Sequence, residues 1–148
     1  MSMHRRPVGR ARALAALGAV VVLAGCVLPW WTVGGGPGEI TQRSGNAFES
    51  VGIVVFLGAL ATLALITLPY ARERPVGLDR WTSYALLGAI SWLAFLYRIV
   101  DLAMAHYFAF FHEPLELVTR IPGLWVTAVG LVIVARSAFD LWQAPTER

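Results

Sequence analysis

The chain has 148 residues, 57% of them hydrophobic, one cysteine and a net charge of +3, with a mean hydropathy of +0.64. A soluble domain carries roughly 45–50% apolar residues, so the composition argues against a water-borne globule, and a lone cysteine excludes an internal disulfide. All twelve basic residues are arginines scattered along the chain, not the clustered stripe of a nucleic-acid binder.

Four charge-free apolar runs occupy residues 13–31, 51–70, 81–97 and 121–135. A hydrocarbon layer about 30 Å thick takes roughly 20 helical residues to cross. The expected fold is therefore an all-α membrane protein, a four-transmembrane-helix antiparallel bundle forming a single domain. Spans are expected near 11–31, 48–70, 81–101 and 122–142. An outer loop (32–47), an inner loop (71–80) and an outer interfacial segment (102–121) connect them.

The first run invites two readings. A basic tail, an apolar stretch and Leu23-Ala24-Gly25-Cys26 match a bacterial lipobox, which would lipidate Cys26 and remove the helix. Against this, Val27-Leu28-Pro29-Trp30-Trp31 carries the run on to an aromatic interface anchor. An uncleaved span would use Cys26 as a small packing residue beside Gly18, Ala19, Ala24 and Gly25, the kind that lets membrane helices approach closely.

In the outer loop, Gly34-Gly35-Gly36-Pro37-Gly38 supplies no packing side chains and reads as mobile. With no preceding strand and no lysine in the chain, it is not a phosphate-binding loop. Asn46-Ala47-Phe48-Glu49 is a variant capping box that starts the second helix. Gly52, Gly58, Ala59, Ala61 and Ala64 are candidates for a close helix contact, and Pro69-Tyr70 ends the helix. Ten residues of inner loop make the second and third helices antiparallel neighbours, and Trp81 anchors the third at the interface.

Measured from Trp81, Arg98 lies about 26 Å and Asp101 about 30 Å along the helix, near the outer boundary. Three apart, they share a face. Glu49 opens the second helix on the same side, so an interhelical Glu49–Arg98 pair is geometrically open. These three are the candidate interhelical or pathway charges, because a charge in hydrocarbon is kept against a partner or a water-filled path. A helix running on to Phe111 would overshoot the membrane, so 102–111 must protrude or bend. Pro114 breaks the segment, and Pro122 suits the first turn of the fourth span. Within that span, Arg136 must snorkel or pair with Asp140.

His106, His112, Glu113 and Glu116 carry metal-ligand atoms without a zinc spacing. No nucleophile motif is present, so neither enzyme activity nor a cofactor or metal is expected. Nine arginines, against Glu73, Asp79, Asp140 and Glu147, fall on the side of the two termini. The positive-inside rule therefore places both termini in the cytoplasm.

Through Leu28-Pro29-Trp30-Trp31-Thr32, Gly45-Asn46-Ala47-Phe48-Glu49, Thr67-Leu68-Pro69-Tyr70 and Pro122-Gly123-Leu124-Trp125, the chain resembles small four-span integral membrane proteins of high-GC actinobacteria. That resemblance implies a plasma-membrane location and no particular activity. The layout is also similar in outline to claudin-like proteins, although their Gly-Leu-Trp and two-cysteine loop pattern is missing and Gly123-Leu124-Trp125 opens the fourth span instead. The expected role is a noncatalytic scaffold or accessory subunit. Its partners would be the bilayer and a membrane protein or a second copy, not nucleic acid. The competing expectation is a small oligomeric transporter or channel subunit.

Overall fold

The computed structural model describes residues 9–71, 81–110 and 113–143. It is mostly helical, with helices α1 (Arg10–Val27), α2 (Gly52–Ala71), α3 (Trp81–Met104), α4 (Pro114–Arg120) and α5 (Pro122–Gln143). Two three-residue strands, β1 (Trp31–Val33) and β2 (Arg43–Gly45), and single 3-10 turns at Ala47–Glu49 and Tyr107–Phe110 fill the connections. By length and composition α1, α3 and α5 can each cross a membrane, and α2 is apolar over Gly52–Leu68.

The four long helices close a ring in which α1 packs beside α2, α2 beside α3, α3 beside α5 and α5 beside α1. The α1/α5 seam is the most extensive contact. Gly18 and Gly25 on α1, and Gly123 and Gly130 on α5, are each seven residues apart and so fall on one helical face. A Cβ placed on Gly18 would sit 2.9 Å from the Gly130 carbonyl oxygen, and one on Gly130 would sit 2.7 Å from the Val22 nitrogen. At Gly25 the obstruction is the Thr127 backbone nitrogen at 2.6 Å, and at Gly123 the Leu28 carbonyl oxygen at 2.6 Å. The backbones touch along the seam, so small residues are required there. Gly18, Ala19, Gly25 and Cys26 all face inward, while Ala24 turns outward. The buried residues form a larger cluster around Val22, Trp30, Val55, Phe95 and Leu131, and a smaller one around Ala15, Ile66, Tyr84 and Ala138 at the opposite end.

Several expectations are corrected. The first helix ends at Val27, not Trp31, because Pro29 disfavours helical geometry in the residue before it; Leu28 is extended (φ −72°, ψ 158°). The chain is not purely helical, and the glycine-rich loop forms a hydrogen-bonded turn between two short strands. β1 and β2 pair antiparallel with Trp31 opposite Gly45 and Val33 opposite Arg43, and the turn between them uses positive φ at Gly34, Gly35 and Gly38. The Gly35 amide donates to the Ile40 carbonyl (3.1 Å) and the Gly36 amide to the Glu39 carboxylate (3.0 Å). Asn46 does accept a capping bond, from the Phe48 amide at 3.1 Å, but it caps the 3-10 turn, and α2 starts only at Gly52. The segment after α3 bends. His106 takes a left-handed conformation (φ 60°), the position a glycine usually fills at a helix end, and the chain turns into Tyr107–Phe110. The expected inner turn at 72–80 lies outside the described residues.

Gly130→Leu forces a branched side chain into backbone contact and is expected to cost ~3 kcal/mol or more. Leu at the exposed Val129 is expected to be near neutral. Thermal unfolding of the detergent-solubilised variants checks the contrast.

Candidate functional site

The end of the ring where α1 and α3 stop and α2 and α5 begin is closed by a cap built on Trp30-Trp31-Thr32. A helix leaves its last carbonyls without intrahelical partners. Here the Trp30 indole Nε1 donates to the Gly25 carbonyl at 2.9 Å. Its ring is wholly buried and meets Phe95 of α3 edge-on, centroids 5.6 Å apart at 86°. The Trp30 amide donates to the Gly45 carbonyl (2.7 Å), and the Gly123 amide at the start of α5 donates to the Pro29 carbonyl (2.9 Å). The cap thus ties α1, β2 and α5 through backbone groups and reaches α3 through an aromatic edge.

The next two residues extend the stitching. Trp31 Nε1 donates to Glu49 Oε2 at 2.7 Å, and its ring packs on Tyr107 at 4.9 Å. The Thr32 hydroxyl donates to the Arg120 carbonyl at 2.7 Å, at the end of α4, where helical carbonyls lack partners. Arg120 returns the contact, its Nη1 donating to the Gly34 carbonyl (3.3 Å) while its Nη2 lies 3.6 Å from Glu116.

The three suspected charges all sit at this end but form two separate arrangements. Arg98 pairs with Asp101 one helical turn on, whereas the Glu49 carboxylate is engaged by Trp31. Among the described residues no Glu49–Arg98 ion pair forms. Arg98 is only 8% exposed, and its Nε is buried without a hydrogen-bond partner among the described residues. The Asp101 side chain is 45% exposed. The pair is therefore lopsided, a buried cation neutralised by a half-wet anion.

Cys26 is wholly buried in the last turn of α1, so in the folded bundle its thiol faces the core rather than the membrane surface. His106 is exposed and closes α3, Glu113 is exposed, and His112 lies outside the described residues. Among the described residues no group of three or more His, Cys, Asp or Glu side chains gathers as metal ligands would. Beneath the cap, Phe95, Ile99, Phe108, Leu117, Leu124 and Trp125 line an apolar cavity of about 220 Å³. A void with no polar lining holds no ordered water.

Sequence reasoning placed Trp30 and Trp31 at the interface as anchors but missed their bonding roles, along with Thr32 and Arg120. Pro29, directly after the apolar run, was the one local signal that the chain turns back there. Comparison with protein-family models, curated proteins and solved structures finds no match for this chain.

Two mutational contrasts follow from this geometry. Trp30→Phe keeps most of the packing but leaves the Gly25 carbonyl unpaired, for an expected loss of about 1–3 kcal/mol; Trp30→Ala also opens a cavity and should cost about 3–5 kcal/mol. Asp101→Asn strands a buried guanidinium and is expected to destabilise more than Arg98→Met, by about 1–2 kcal/mol once the wet aspartate is allowed for. Denaturation midpoints in detergent read both.

Proposed function

We propose that this chain is a noncatalytic integral protein of the plasma membrane: a four-span antiparallel bundle with both termini in the cytoplasm, serving as a scaffold or accessory subunit of a membrane complex. The observation that carries the membrane reading is the outer surface of the ring. Leu17 and Val20 on α1, Leu57 and Leu60 on α2, Leu86 and Leu93 on α3, and Val129 and Val132 on α5 are all exposed. In water this would be a continuous apolar patch far larger than soluble monomers show; in lipid it matches the solvent.

The polar groups inside the ring support the same reading, because hydrocarbon offers them no alternative partner. The Thr62 hydroxyl donates to the Gly58 carbonyl (2.9 Å) and the Ser137 hydroxyl to the Val134 carbonyl (2.7 Å). Tryptophans mark both ends, Trp81 and Trp142 with centroids 6.4 Å apart at one and the cap residues with Trp125 at the other, as membrane interfaces favour. The arginine asymmetry supports the cytoplasmic placement of the termini.

The scaffold role is supported by how the cap uses its charges. Glu49 and Arg120 each hold another part of the protein, and Asp101 neutralises Arg98 within α3, which suits a rigid surface presented to a partner. The buried Arg98 Nε is the one feature that favours the transporter or channel reading, since a charge kept at such a cost often lines an ion pathway in membranes.

Reporter fusions at both termini are expected to report cytoplasm, and a fusion within the β1–β2 turn the opposite side. Crosslinking in native membranes is expected to recover one stoichiometric membrane partner. Proteoliposome flux that Arg98→Ala abolishes would instead establish the transporter reading.

A further inference from the structure

The α3/α5 seam does not close as the α1/α5 seam does. At the end of the ring that carries Trp81 and Trp142 it opens into a groove of about 350 Å³, with Gly88, Ala89 and Ala135 as its floor and Trp81, Trp92 and Trp142 among its walls. Space is left over there: a Cβ on Gly88 would meet nothing nearer than Val134 Cγ1, at 3.8 Å. An apolar groove gives water too few polar partners to be held. In a bilayer it therefore fills with hydrocarbon.

The rim supplies the chemistry that selects which lipid. Arg136 stacks over Phe139, a wall residue, with its guanidinium carbon 5.8 Å from the ring centroid. Its side chain is 65% exposed, and its Nη2 lies 3.2 Å from Asp140, leaving the other donors of the planar fork outward. Arg10, exposed at the start of α1, stands at the same end of the bundle, and the orientation proposed above assigns nine of the twelve arginines in the sequence to that side. Basic pockets between membrane helices on the cytoplasmic face suit anionic headgroups.

We propose that this groove holds an acyl chain of an anionic phospholipid of the inner leaflet, with the lipid phosphate met by Arg136. The proposal rests on the membrane reading and orientation given above. It commits to lipid over a second copy of the chain because the open groove lies beside a guanidinium that keeps further donors after its pairing with Asp140, an arrangement that matches a molecule with an apolar tail and an anionic head.

Native mass spectrometry of the full-length, detergent-solubilised protein tests it, using phosphatidylglycerol and phosphatidylcholine of identical acyl chains as probes. The wild type is expected to retain one phosphatidylglycerol about fivefold better than phosphatidylcholine, because the choline ammonium of the latter cancels the phosphate charge that Arg136 meets. Ala89→Trp fills the groove and is expected to lose both adducts, whereas Ile90→Trp, at an exposed position of the same helix turned about 100° away from Ala89, keeps them and controls for folding. Arg136→Gln is expected to keep tail binding while the two lipids become equivalent. Equal retention of both lipids by the wild type, or an unchanged adduct in Ala89→Trp, overturns the proposal. So does an Ala89→Trp variant that changes from dimer to monomer with its lipid count unaltered, which would assign the groove to a second copy. A chain that stays monodisperse in plain buffer brings down the membrane reading as well. One whose fusions report both termini in the cytoplasm, but which keeps no phosphatidylglycerol, brings down this inference alone.

Discussion

Direct backbone contact between α1 and α5 is the constraint on which the remaining structure depends. In hydrocarbon, apolar side chains gain nothing by leaving lipid for one another, so helices hold together through close packing and internal hydrogen bonds. The glycines at 18, 25, 123 and 130 bring the first and last long helices near enough for their main chains to touch. That contact joins the two ends of the sequence, turns an up-and-down row of helices into a closed ring, and sets the height at which the cap must be built.

The cap follows from that placement. With α1 held against α5, Pro29 turns the chain back over the start of α5, where the Gly123 amide is waiting for its carbonyl. Trp30 then fills the space above the core and satisfies the end of α1, and Trp31 and Thr32 carry the same stitching to the 3-10 turn and to α4. The bonds to the Gly25 and Arg120 carbonyls satisfy groups that the ends of α1 and α4 would otherwise leave unpaired. The glycine-rich turn is tied in from both sides: Thr32 of β1 and Arg120 connect it to the end of α4, and the Glu39 carboxylate accepts from the Gly36 amide within it.

The two sides of α5 differ in kind. Toward α1 it presents glycine against glycine and leaves no space; toward α3 it presents Ala135, Phe139 and Trp142 across from Ala89, Trp81 and Trp92, and leaves a groove. Large aromatics at the rim hold the helices apart where small residues behind them cannot fill the gap. One face of the helix is thus committed to the fold, and the other is available to an apolar ligand.

Much of this was legible in the sequence because long runs of apolar residues form helices whose extent and faces follow from residue type. The long apolar runs, the helix start at Pro122 and the inward packing of Gly18, Ala19 and Gly25 follow from residue type and spacing; these allow the segment after Asp101 either to extend or to bend, and the turn at His106 decided it. Tertiary structure decided which helix those glycines meet, that Glu49 serves Trp31 while Arg98 turns to Asp101, and that a loop of glycines becomes a hairpin turn. Periodicity reports a helix and its faces. The partner of a face, or of a single hydrogen-bonding group, depends on which distant segment the closed ring brings alongside, and that is a property of the packed chain rather than of any stretch within it.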